Sequence, residues 1–218
     1  MKYRRLLVVP MAAVLFLLSA CSGTGGAKPI SADDVTYQVM HADWPRYETT
    51  QELVEEGTDI LIGTVTDISY QVLDMKTAEP PTEKSEKLDC MLHTIYHVKV
   101  AKVYKGRVYD TVKVRMMGGE EGVRVEEQLK ALGEDAVNGI PVMCGDKPNI
   151  EVGKTYLFVL WQHEAEMPTW VNTDQAVYEL TETGAATTTG LPSLKDIVTY
   201  FGAEQWDELQ KLLPEARK

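Results

Sequence analysis

The chain has 218 residues and carries 22 Lys and Arg against 33 Asp and Glu, a net charge of −11. So acidic a surface repels nucleic acid and anionic lipid head groups, which argues against both as direct ligands. The length suits one domain with appendages, and beyond the N-terminal segment no apolar stretch approaches the ~20 residues of a membrane helix.

Lys2, Arg4 and Arg5 precede an apolar run from Leu6 to Leu18 that is interrupted only by Pro10 and closes on Leu18-Ser19-Ala20-Cys21. A positive start and an apolar core too short to span a membrane have the anatomy of a secretory signal over residues 1–20. The small residues ahead of Cys21 resemble the lipobox of bacterial lipoproteins. That resemblance implies that Cys21 bears a diacylglycerol thioether and becomes the mature N-terminus. The chain is then held on a cell membrane, facing outside the cytoplasm. Two or more acyl chains anchor stably, since each buried methylene contributes ~0.8 kcal/mol. The alternative is an ordinary signal cleavage that leaves Cys21 a plain thiol. Loss of Lys2, Arg4 and Arg5 with the signal takes the net charge from −11 to −14. Residues 21–45 open with the small, flexible run SGTGGAKP and read as a lipidated cysteine and tether.

Residues 46–190 carry the strand signals. Thr49 and Glu52 make a capping box for a short helix that Gly57 ends. Thr58 to Gln71 is rich in β-branched residues; its consecutive Ile60, Leu61 and Ile62 predict burial on both faces, and Gly63 predicts a bulge or bend. Leu92 to Tyr104 predicts a second long strand with Tyr96, Val98 and Val100 inward and a bulge before Val103. Thr111 to Met117 alternates as a half-exposed third strand. Val125, Leu129 and Leu132 predict an amphipathic helix closed by Gly133, within a long excursion from Glu120 to Gly153. Lys154 to Gln162 is the most apolar strand, and Thr169 to Leu180 reads as its partner. Residues 191–218 predict two helices, one with Leu194, Ile197, Val198 and Phe201 on one face and one with Trp206, Leu209 and Leu213.

Five strands with a helix between the third and fourth match the order of a mainly β, five-stranded OB-type barrel with short flanking α-helices. The segments ELVEEGTDILIGTV, YHVKVAKVYKG and CGDKPNIEVGKTYLFVL, within Leu53 to Leu160, resemble small exported bacterial OB-fold proteins. More distantly they resemble the tissue inhibitors of metalloproteinases and netrin-like domains. In those inhibitors a free N-terminal cysteine chelates the protease zinc. Cys21 is its only counterpart here, it is acylated on the reading above, and the family's multiple disulfides are missing. The resemblance therefore implies the fold more than the inhibition.

No GxSxG, HExxH, SxxK, Walker or EF-hand pattern is present, which speaks against an enzyme without excluding one, and no catalytic residue, metal or cofactor is expected. His93, His97 and His163 are the material for a metal-dependent hydrolase, but residues four apart on a strand stand ~13 Å apart, and the first two are expected on the outer face. Cys144 with His163 lacks an orienting group for a nucleophile–base pair. Cys90 and Cys144 are either bridged, at ~2–4 kcal/mol, or two thiols. Trp161, Trp170 and Tyr178 are either core or an exposed face for glycan stacking. Glu120, Glu121, Glu126 and Glu127 crowd the excursion and, with Trp170, form the expected contact surface for a protein partner. The expected function is a lipid-anchored, exported interaction module; a metalloproteinase-type inhibitor and a metal-dependent hydrolase are the alternatives.

Overall fold

The computed structural model describes residues 34–144, 149–164, 166–180 and residue 197. The signal segment, Cys21 and nearly all of the predicted C-terminal helices lie outside the described residues; Ile197 is helical and buried in the core.

In chain order the elements are β1 (Tyr37–Met40), α1 (Thr50–Glu56), β2 (Asp59–Asp74), a 3-10 turn (Lys87–Asp89), β3 (Cys90–Lys105), β4 (Thr111–Met117), α2 (Val125–Leu132), a second 3-10 turn (Gly133–Asn138), β5 (Ile140–Met143), β6 (Thr155–Trp161), β7 (Thr169–Trp170) and β8 (Val177–Glu179). β2 pairs antiparallel with β3 and with β6; β3 pairs with β4, and β6 with β7. The ring closes where β4 meets β7 in parallel through a single residue pair, Arg115 with Thr169. The result is a closed five-stranded barrel in the expected OB order, with β8 following β7 along the same side of β6.

The local signals account for these elements. Thr49 Oγ1 accepts the Glu52 N–H at 3.2 Å while the Glu52 carboxylate reaches back to the Thr49 N–H, completing the capping box of α1. α1 buries Leu53 and Val54 against the barrel. Ile60, Leu61 and Ile62 are each fully buried, as a run without alternation requires. The β2–β3 register slips three times, leaving Ala101 and Tyr104 of β3 and Thr66 of β2 without a partner opposite. Gly63 stands at one of these slips, and a Cβ there would lie 2.4 Å from Val98 Cγ1 and 2.9 Å from the Lys99 carbonyl oxygen. Replacing Gly63 with alanine forces two strands apart inside the core. The expected cost is about 2–3 kcal/mol, read as a lower urea midpoint with an unchanged m-value.

Two expectations about the fold differ from the structure. The tether does not extend to residue 45: Tyr37–Met40 is a strand, paired in parallel with Ile140–Met143. A four-residue segment whose partner lies a hundred residues away leaves no periodic trace. The single strand expected over Thr169 to Leu180 is two short strands. Asn172 Oδ1 accepts the N–H groups of Asp174 and Gln175 at 3.0 and 2.6 Å, an Asx turn that diverts the chain. Gln175 then bonds both main-chain groups of Tyr47, at 2.9 and 2.7 Å, tying the segment before α1 to the barrel.

Candidate functional site

The residues expected to meet a partner divide between the interior and the surface. Trp170 is 1% exposed, because β7 closes the barrel and turns its indole onto Tyr96, with ring centroids 5.7 Å apart and planes 13° from parallel. Tyr178 is also buried. Of the aromatics considered for glycan stacking only Trp161 is open to solvent, lying against His163 at 6.1 Å.

Glu120 is buried as well, contrary to its expected place on a contact surface. Its carboxylate accepts hydrogen bonds from the Tyr70 hydroxyl at 3.1 Å and the Tyr96 hydroxyl at 2.9 Å. Gln128 of α2 holds the main chain of the same residue, accepting the Glu120 N–H at 3.0 Å and donating to its carbonyl at 2.7 Å. Gly119 makes room for this clamp, since a Cβ there would fall 1.8 Å from Gln128 Oε1. Burial, reinforced by the Glu120 charge, pushes the Tyr96 and Tyr70 hydroxyls above their ordinary range, so both remain protonated donors. Glu120 is thus the pin that fastens the excursion to the barrel, while Glu121, Glu126 and Glu127 stay exposed.

The histidines do not converge. His93 is 1% exposed rather than on an open face, and His97 is half-buried with its Nε2 2.9 Å from Ser69 Oγ. His163 lies apart from them, 3.8 Å from Glu166. Arg115 bonds the other oxygen of that carboxylate at 3.1 Å and donates from Nε to the Met167 carbonyl at 3.0 Å. Among the described residues no group of three His, Cys, Asp or Glu is placed to hold a metal ion.

Cys90 and Cys144 are both free thiols. Pro141 of β5 lines the same groove as Cys90, whereas Cys144 lies three residues on, ~10 Å along the strand, beside a separate polar hollow at Trp44 and Asn172. Burial and the acids Asp74, Asp89 and Asp135 push the Cys90 thiol above its ordinary range, and its Sγ donates to the Glu86 carbonyl at 3.3 Å. In a chain with Cys21→Ser, a thiol reagent at pH 8 is expected to modify Cys144 quickly and Cys90 slowly. Two thiols should count after denaturation; a native count of zero that rises only with reductant would show a bridge instead.

What the fold assembles at the surface is a groove of ≈ 470 Å³. One bank is the β1–β5 ribbon, through Gln38, Met40 and Pro141. The other is the 87–92 segment, with Leu88 94% exposed at its lip. Val72 and Leu132 also line it, and Asp135, in the turn after α2, ion-pairs with Lys87 at 2.5 Å. Val137, 57% exposed, continues the apolar surface along the same turn. The excursion therefore lines this groove, through its apolar second half rather than its acidic start. Apolar side chains give a sequence no sign of this role, because only the pairing of β1 with β5 turns them into the wall of a cleft. Protein-family models give no match to the chain, and no curated protein matches it.

Proposed function

We propose that this chain is an exported interaction module, anchored by a lipid on Cys21, whose groove between β1 and the 87–92 segment receives a protein partner. The observation that supports this reading is the groove itself. It is an open, largely apolar cleft with a leucine 94% exposed at its lip, on a protein whose remaining surface is strongly acidic. Exposed apolar surface rimmed by polar groups is the mark of a contact site.

Two measurements test the two halves of the proposal. Detergent phase partitioning of the full chain expressed in a bacterium should place it in the detergent phase, and Cys21→Ala should move it to the aqueous phase. For the groove, the mature chain with Cys21→Ser is used to capture partners from surface extracts, alongside Leu88→Glu and a triple reversal of Glu121, Glu126 and Glu127 to lysine. A partner lost in Leu88→Glu but kept in the triple variant supports the groove; the reverse pattern returns the site to the acidic face. Glu120 is left unchanged in both, since its reversal would unfold the module.

A further inference from the structure

The groove has a bank of a particular kind. β1 pairs only with β5 among the described residues, and the pairing uses alternate residues: the Thr36 carbonyl accepts the Ile140 N–H at 2.9 Å, and the Met40 carbonyl accepts the Cys144 N–H at 2.7 Å. In a parallel ladder the residues between, Tyr37 and Val39, then direct their main-chain groups to the opposite edge. Among the described residues no strand pairs with that edge, and Val39 beside it is 60% exposed. A row of free N–H and C=O groups is a template for another strand.

The charges at the groove select the sign of what binds. Its lysine is already used, since Lys87 is held by Asp135, and nearby Lys76 is held by Asp89 at 2.5 Å. Glu86 and Glu134 flank this end of the molecule with no ion-pair partner among the described residues. A second copy of the chain would bring the same excess of acid to the same edge, so charge opposes self-pairing.

Resting on the interaction-module reading, we infer that the occupant is an extended, basic segment of a protein partner. It adds a strand to the free edge of β1, sets alternate apolar side chains into the groove against Met40, Leu88 and Pro141, and presents lysine or arginine to Glu86 and Glu134. Main-chain bonding supplies affinity; the alternation and the acids supply selectivity.

The probe is a phage-displayed library of random 12-residue peptides selected on the mature chain with Cys21→Ser, with anisotropy of the most enriched peptide measured afterwards. Val39→Pro deletes an outward N–H while sparing the bonds to β5. Leu88→Glu alters a side chain too exposed to affect folding. The expected result is enrichment of alternating apolar residues with Lys or Arg, at least tenfold weaker binding to each variant, and further weakening in salt. No enrichment, helical spacing of the apolar residues, acidic peptides, or binding indifferent to both variants would overturn the inference. So would sedimentation showing a dimer that Val39→Pro dissolves. If capture of a partner depends on Leu88 while the library yields nothing, the extended-strand inference falls and the interaction module stands. If the library succeeds while capture ignores Leu88, the proposed function is what fails.

Discussion

Replacing Glu120 with alanine is expected to lower stability by about 3–5 kcal/mol, a large share of what holds a domain of this size together. The change removes two charge-assisted hydrogen bonds and leaves the Tyr70 and Tyr96 hydroxyls without the acceptor they share, one of them fully buried. Glu120→Gln should cost less, about 1–2 kcal/mol, because the amide oxygen still accepts from one tyrosine while the other hydroxyl can turn to accept from the amide nitrogen. Tyr96→Phe should fall in the same range. Urea unfolding of the four proteins checks the series. Equal midpoints for Glu120→Ala and wild type would mean that the carboxylate is hydrated and that the excursion is fastened by Gln128 alone.

The second large effect is a pH dependence that belongs to one residue. His93 Nδ1 lies 2.9 Å from the Met91 carbonyl oxygen, and Nε2 is buried with no partner among the described residues. Burial first, then the positive charge of nearby Arg115, pushes its pKa down from 6.5 to about 4, against the opposing pull of the Met91 carbonyl. Between those values the unfolded chain binds a proton that the folded chain refuses. The stabilising contribution is therefore complete above pH 6.5 and lost as pH falls toward 4, by about 3 kcal/mol in all at ~1.4 kcal/mol per unit. In His93→Leu, which cannot titrate, this loss should disappear while the acidic side chains common to both proteins titrate as before. The difference in unfolding free energy between wild type and variant, measured at pH 7 and pH 4, should change by that amount in the variant's favour. A constant difference would place His93 in contact with water.

Much of the barrel is legible in the chain because its signals are local. Alternating Val112 and Val114, the unbroken Ile60-Leu61-Ile62 and the Thr49–Glu52 box each act within a few residues and appear in the structure as read. The site is not legible in that way. Nothing near Glu120 distinguishes it from Glu121; what buries one and exposes the other is a pair of tyrosines 50 and 24 residues away. Only the paired Gly118-Gly119 hints at a close approach. Trp170 is buried because a two-residue strand closes a ring, a fact of topology rather than of pattern. β1 escapes notice because its four residues make sense only beside Ile140–Met143, whose own strand contains a proline.

The single residue pair that joins β4 to β7 gives the barrel a direction in which to open. Every other seam is a ladder of two or more pairs, whereas this one depends on Arg115, whose N–H donates to the Pro168 carbonyl at 2.8 Å while its side chain holds Glu166 and Met167. Amide exchange should therefore begin along this seam, with the β7 amides trading deuterium through excursions cheaper than global unfolding, while the long β2–β3 hairpin exchanges only when the whole molecule comes apart. A ring closed by one arginine is, on the timescale of minutes, a sheet with a clasp.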